Sequence, residues 1–419
     1  MTSTSSLLLT NIKGIWLPVS SSVQPIKGLK MSQSNLLENA FIWIENGKIA
    51  SLGLMADLET AVPDAVKNSD SIDCAGRYVL PSWVDAHTHL VFAAWRENEM
   101  EMRNAGKTYL EIAASGGGIL NSATRLEQCS ENELFDSAFE RLLSVMKMGT
   151  GAIEIKSGYG LSLESELKML RVIQRLKEKS PIPIKSTFLG AHAIPKKYTD
   201  RNEYINLVIN EMIPEVARQK LADYCDVFCD TGFFTPVESE KILAQGLQYG
   251  LKPKLHANEL ARSGGVQIGV KMGAVSVDHL ECVEQEELDC LANSATIPVL
   301  LPGTAFFLGI HPPPARKMLA SDLPVALSTD YNPGTCPSGN MEWVVSMACA
   351  MLKMSAVESI HAATVNSAFA MDLQDEAGRI ETGKSANLLI TKKIPSISFI
   401  PYHFGESSIE HVLVNGKPI

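Results

Sequence analysis

Two histidines one residue apart, His87 and His89, follow the short apolar stretch that ends in Val84-Asp85. On extended backbone alternate side chains point to the same side, so both imidazoles can reach one cation. Groups of the same kind recur in Leu255-His256-Ala257-Asn258-Glu259, Val277-Asp278-His279-Leu280 and Leu327-Ser328-Thr329-Asp330. Neutral imidazoles with one carboxylate suit Zn²⁺ or another borderline first-row cation, with a position left for water. Such a cation brings the pKa of its water toward neutrality and polarises a carbonyl. A base must then take the water proton, and Asp330, His279 and Glu259 are the candidates. Glu259, three residues past His256, can also pass a proton to a leaving nitrogen. Lys156 could in principle be carboxylated and bridge two metals. Barrels that use that device carry the lysine on a later strand, so one metal is expected.

Other polar groups stand near these segments. Arg96, seven residues past His89, is a natural bidentate partner for a substrate carboxylate, with a rim salt bridge as its ordinary alternative. Tyr159, between Gly158 and Gly160, is set to show its hydroxyl to a ligand. The Pro-Gly turn of Asn332-Pro333-Gly334-Thr335 would bring the Asn332 amide, the Gly334 backbone and the Thr335 hydroxyl over the site. Phe306, Phe307 and Pro312-Pro313-Pro314 are expected to shape a wall.

Elements must hold these groups together. Eight apolar runs read as strands: 80–85, 150–155, 184–189, 226–228, 254–256, 276–278, 297–300 and 325–328. Helical patterns separate them. The clearest spans 163–179, with Leu167, Leu170, Ile173 and Leu176 on one face. Strands joined by helical crossovers predict a closed parallel barrel, with catalytic groups at the C-terminal strand ends. Five of the nine histidines (His87, His89, His192, His256 and His279) fall at such ends. A doubly wound open sheet is the alternative, but no G-x-G-x-x-G follows the early strands. Before the barrel, Phe41–Ile44 and Ile49–Leu52 flank Asn46-Gly47, a strong hairpin signal. Residues 386–390 and 411–414 read as strands at the other end, and the two ends are expected to pair into a small β-sandwich. The expected division is 1–75 and 381–419 for that unit and 76–380 for the barrel.

Composition fits this picture. The chain has 419 residues, more than the roughly 250 of a bare barrel. A net charge of -10 argues against a nucleic-acid surface. It leaves room for an anionic substrate, because one buried arginine sets the sign of a pocket locally. Eight scattered cysteines without a C-x-x-C pair read as free thiols in a reducing compartment. With no secretory signal and no apolar run of about 18 residues, a cytoplasmic protein without membrane contact is expected.

The ordered set of His87-Thr88-His89, the strand-five histidine and the strand-eight aspartate resembles the amidohydrolase superfamily. Three segments are similar to the imidazolonepropionase family within it: Lys156-Ser157-Gly158-Tyr159-Gly160-Leu161, Leu189-Gly190-Ala191-His192 and Ser328-Thr329-Asp330-Tyr331-Asn332-Pro333-Gly334. The likeness spans nearly the whole chain. It implies an α/β fold, a distorted TIM (β/α)₈ barrel with a composite β-sandwich from both termini. It implies hydrolysis of 4-imidazolone-5-propanoate to N-formimidoyl-L-glutamate and a homodimer. His87, His89, His256 and Asp330 would hold one Zn or Fe ion. Arg96, Tyr159, His192, Glu259, Asn332, Gly334 and Thr335 would touch substrate or product, His192 by polarising the ring carbonyl. Ser82, Ala94 and Asn258 depart from the family's commonest pattern, which has glycines at the first two and often an acid at the third. Another amidohydrolase, such as a heterocyclic-base deaminase, or an inactive scaffold are the alternatives.

Overall fold

In a computed structural model of the chain, residues 6–19, 24–108, 111, 112 and 115–419 are described. Residues 1–5 and 20–23 of the expected N-terminal unit lie outside the described residues. The strands are β1 (Ser6–Leu17), β2 (Asn35–Glu45), β3 (Lys48–Leu54), β4 (Asp70–Asp73) and β5 (Tyr78–Pro81). Then come β6 (Trp83–Asp85), β7 (Thr150–Lys156), β8 (Ile184–Ala191), β9 (Tyr224–Cys229), β10 (Lys252–Ala257), β11 (Ser276–His279), β12 (Ile297–Leu300) and β13 (Ala326–Leu327). The chain ends with β14 (Leu388–Thr391), β15 (Ile409–Val414) and β16 (Lys417–Pro418).

Strands β6 to β13 pair side by side in chain order, all parallel. They correspond to the eight apolar runs. Every residue of β7 and β9 is buried, as parallel strands covered on both faces require. The ends of the series meet just past the strands: Thr88 pairs in parallel with Tyr331. The Asp330 N–H donates to His87 O at 3.1 Å and the His89 N–H to Tyr331 O at 2.9 Å. Barrel closure therefore brings the H-T-H segment onto the Asp330 loop.

The helix Leu163–Lys179 follows its sequence pattern to the residue. Ser162 caps it, acids fill its first turn, lysines its last, and its apolar face is buried.

The run 80–85, expected as one strand, is two. Tyr78–Pro81 lies between β1 and β14 in the other sheet, while Trp83–Asp85 pairs with β7. The chain crosses between sheets at Ser82, whose N–H donates to Asn387 O at 3.0 Å, while the Trp83 N–H donates to Gly149 O at 2.9 Å. Ser82 itself fits because Gly151 faces it; a Cβ there would lie 1.8 Å from its Oγ. Nothing in the structure explains Ala94.

The two chain ends share one eight-stranded sheet in the order β16-β15-β14-β5-β1-β2-β3, with β4 beside β1. It curls so that Lys48 bridges Ser385, and the Ala386 N–H donates to Gly47 O at 2.9 Å. Its core is apolar, with Leu9, Ile12, Ile42, Ile44, Leu388 and Leu413 at its centre. The Asn46-Gly47 turn has φ of 51° and 79°, as two-residue hairpins require. Among the described residues no helix is long and apolar enough to cross a membrane.

Candidate active site at the barrel rim

Three imidazoles converge where β6 and β10 end. One nitrogen from each of His87, His89 and His256 lies within 4.8 Å of the others. His89 Nε2 and His256 Nε2 are 3.4 Å apart. Asp330 Oδ1 stands 3.6 Å from both His87 Nε2 and His89 Nε2. Ligand atoms at about 2.1 Å around one tetrahedral ion sit roughly 3.4 Å from one another. The spacing therefore fits one ion. His87 Nε2 is buried with no hydrogen-bond partner, which a cation would remedy.

The far edge of two rings is held. His87 Nδ1 donates to Asp278 Oδ2 at 2.6 Å, and His256 Nδ1 lies 3.1 Å from Asp226. Burial, reinforced by the nearby Lys156 ammonium, keeps His87 well below its usual pKa. The ring is thus neutral, and with the proton on Nδ1 its Nε2 lone pair faces the other imidazoles. Burial likewise keeps His89 neutral, with His192 and His256 adding to the effect. Asp330 has one oxygen engaged, Oδ2 accepting from Thr304 Oγ1 at 2.6 Å, and the other turned to the histidines.

Beneath the cluster lies a floor of buried charges. Lys156 Nζ donates to Glu154 at 2.7 Å and Asp226 at 2.8 Å, and stands 3.4 Å from Asp278. Burial alone would lower its pKa, but these carboxylates outweigh burial and raise it. A protonated amine so engaged has no lone pair for carboxylation. Lys254 pairs with the other oxygen of Glu154.

A small cavity opens above. It is lined by His89, Arg96, Tyr159, His192, His256, Glu259, His279, Asp330, Asn332 and Thr335, with Ile119 and Phe228 as apolar walls. His87 lies beneath the cavity, and Gly334 packs on Arg96 behind it. A Cβ on Gly334 would fall 1.7 Å from Arg96 Nη2, so only glycine leaves room for the guanidinium. Arg96 is buried, with Nη1 3.3 Å from Ser122 Oγ and Nε 3.3 Å from Glu99. Phe306 and Phe307 do not form the expected wall. Phe306 is exposed, and Phe307 lines a neighbouring cavity with Trp95, Arg103 and Pro333.

Asn332 lines the cavity, but its amide mainly braces its own loop. Its Oδ1 accepts from the N–H groups of Gly334 and Thr335 at 2.9 and 2.7 Å, and its Nδ2 donates to Asp330 O at 2.7 Å. His192 stacks on His89, ring centroids 5.1 Å apart. Its Nδ1 donates to Gly158 O at 3.0 Å, and burial lowers its pKa to about 3. A neutral ring with its proton on Nδ1 offers Nε2 only as an acceptor. It is therefore placed to receive an N–H, not to polarise a carbonyl as a donor.

Glu259 and His279 face each other across 3.7 Å. Burial pushes the Glu259 carboxyl up to about 8 against the pull of His279. Around His279 the carboxylates of Glu259, Glu281 and Asp330 outweigh burial and raise the imidazole pKa to about 10. Asp230 Oδ2 fixes the Glu259 backbone by accepting its N–H at 2.7 Å. Asn258, with φ of 56°, is a residue type that tolerates the left-handed region. Its Nδ2 donates to Cys282 O at 2.9 Å, which an acid at this position could not do.

Several supporting residues escaped the sequence reading. Asp226 and Asp278 lie within β9 and β11 and Asp230 directly follows β9, and that placement was their only signal. Glu166 accepts from the N–H groups of Gly158, Gly160 and Leu161 at 3.1, 2.7 and 2.9 Å, which fixes the loop carrying Tyr159. Nothing in the helix pattern distinguishes it from the acids beside it.

Residues 254–419 match the family model described as Amidohydrolase family. The imidazolonepropionase of Christiangramia forsetii is 49% identical over 415 residues, covering 99% of this chain and 100% of the relative. That of Geobacillus kaustophilus is 42% identical over 400 residues, covering 95% and 94%. Among solved structures, Escherichia coli guanine deaminase has a TM-score of 0.73 at 14% identity, covering 100% of this chain and 99% of that one. A triazine hydrolase variant has 0.74 at 16% identity, covering 99% and 94%. Likeness at that identity speaks for the fold alone. With the relatives matched over almost their whole length, the chain belongs to the imidazolonepropionase family of amidohydrolases.

Proposed function

We propose that the chain hydrolyses the ring amide C–N bond of 4-imidazolone-5-propanoate to give N-formimidoyl-L-glutamate, a step of L-histidine degradation. The observation that carries this reading is Arg96, a buried cation in the same cavity as three convergent imidazoles. Arg96 already pairs with Glu99, and a substrate carboxylate would share that guanidinium while its hydrolysable carbon lies near the histidines. A neutral heterocyclic base supplies no such anion.

His87, His89, His256 and Asp330 would hold one Zn or Fe ion. When bound, the ion supplies a Lewis acid and makes water acidic enough to lose a proton near neutral pH. The chain's own groups do the rest. The Arg96 guanidinium binds the propanoate, its planar fork matching a carboxylate. The Gly334 and Asn332 turn keeps that guanidinium in place, and Thr335 and Tyr159 border the ring. His192 Nε2 accepts a ring N–H and so orients the plane of the ring. Glu259 takes the water proton and returns it to the ring nitrogen as the C–N bond breaks. Burial suits it to this exchange, because a carboxyl raised to about 8 is, once ionised, a stronger base than an ordinary carboxylate, and it keeps the proton it takes until the ring nitrogen receives it. Asp330, whose free oxygen already points at two imidazoles, serves as a ligand in this reading. By likeness to the family the reading extends to a cytoplasmic homodimer.

The test is the loss of imidazolone absorbance with purified protein, with and without a chelator. Turnover that the chelator abolishes is expected. Arg96→Ala should lower kcat/KM about 10- to 100-fold, the value of charge-assisted hydrogen bonds to a buried group. No turnover by the metal-loaded protein, or full activity in the Arg96→Ala variant, would overturn the reading.

A further inference from the structure

We propose that Glu281 is a positioning residue for this reaction: it fixes the Nδ1 edge of His279, so that the Nε2 edge is presented to Glu259 and the cavity. The proposal rests on the reading above, in which Glu259 moves the proton.

Glu281 is a carboxylate without an ordinary explanation. Its side chain is 1% exposed, and neither oxygen has a hydrogen-bond partner. A carboxylate buried this way is costly unless a partner compensates it. His279 Nδ1, 3.7 Å from Glu281 Oε2, is also buried without a partner. On the opposite edge of the ring, Nε2 is 3.7 Å from Glu259 Oε2. The imidazole thus stands between two acids. Glu259 borders the cavity, whereas Glu281 is behind the ring and does not line it.

The backbone is bent to make this arrangement. His279 and Leu280 have φ of 82° and 67°, consecutive residues in the left-handed region with no glycine between them. Such conformations are strained and persist only where the surroundings impose them. Here they do. The Leu280 N–H donates to Ala257 O at 3.1 Å, and the Cys282 N–H donates to Asn258 O at 2.8 Å. These bonds tie the end of β11 to the end of β10, the strand that carries His256 and leads to Glu259. The bend directs His279 and Glu281 toward each other rather than along the ladder. The side chain needs only to accept from Nδ1–H for this purpose; it touches neither substrate nor the histidine cluster.

The experiment compares Glu281→Leu, Glu281→Gln and Glu281→Asp with the unaltered enzyme, using steady-state kinetics and metal content. Glu281→Leu removes the acceptor and should lower kcat on the order of 10- to 100-fold, as loss of a group that orients a functional histidine does. KM and bound metal should stay unchanged, a split that general loosening of the fold does not produce. Glu281→Gln keeps an acceptor oxygen and should retain most of kcat. Glu281→Asp keeps the charge but withdraws the oxygen from the ring, and should fall between the two. It carries the test if the leucine variant fails to fold. Unaltered kcat in Glu281→Leu, or in Glu281→Asp where the leucine variant does not fold, or Glu281→Gln as impaired as either of them, would overturn the proposal. An unaltered enzyme that fails to consume imidazolonepropanoate would instead overturn the functional reading.

Discussion

The rim of the barrel and the sheet built from the chain ends use left-handed backbone in opposite ways. In the terminal sheet it falls on Asn11, Asn39, Asn46-Gly47 and Asn415-Gly416, residue types that accept it at little cost. At the rim it falls on Leu161, Asn258, His279, Leu280 and Asp330, and two of these, Leu161 and Leu280, are residue types that rarely adopt it. Burial differs in the same sense. The terminal sheet encloses an apolar core, whereas the rim buries Glu154, Lys156, Asp226, Lys254 and Asp278 in contact with one another. One region follows local preference and stabilises the fold. The other opposes local preference, and packing holds it there because its geometry serves chemistry.

Substitutions can break this contrast, and the largest effect belongs at the rim. His256→Ala should abolish turnover and reduce bound metal from about one ion per chain to a trace by elemental analysis. Unchanged metal content would remove His256 from the ion's ligands. Glu259→Gln should keep the metal and slow kcat about 10²- to 10⁴-fold, the usual worth of a positioned acid–base group. A rate equal to that of the unaltered enzyme would leave this carboxylate no part in proton transfer.

In the terminal sheet the effects should be on stability alone. Leu388→Ala opens a cavity in a fully buried strand and should cost about 2–5 kcal/mol in denaturant titration. Its kcat/KM per folded molecule should not change. A selective loss of activity would show that the sheet communicates with the site across Ser82. Smallest is Asn46→Ala, where φ of 51° would be imposed on a residue with less tolerance for it. A loss of about 1 kcal/mol is expected, with kinetics intact. A neutral result would mean that strand pairing, not the turn, sets the β2–β3 register.

Much of the barrel was legible because its signals are periodic. The helix 163–179 and the strand 297–300 read correctly to the residue, since apolar spacing and caps are local properties. The break in 80–85 was not legible. Both halves are apolar and extended, and only the pairing partners, Leu388–Ile390 for one and Thr150–Ile153 for the other, distinguish them. The same limit applied to the site. His87, His89, His256 and Asp330 could be found from type and position. The orienting acids Asp226, Asp278, Asp230 and Glu281 could not, because an aspartate or glutamate beside a strand has the same composition whether it faces water or an imidazole.

The sequence by itself determined the number and order of barrel strands, the Asn46-Gly47 hairpin and the residue types available at the rim. These follow from periodicity, turn chemistry and the short distance between a strand and its end. Only tertiary structure decided that His192 presents an acceptor, that Gly334 makes room for Arg96, and that Lys156 is held by carboxylates. Each of these depends on an atom contributed by a distant segment. Hydrogen bonding and steric contact act over a few ångströms in space, and separation along the chain does not encode them.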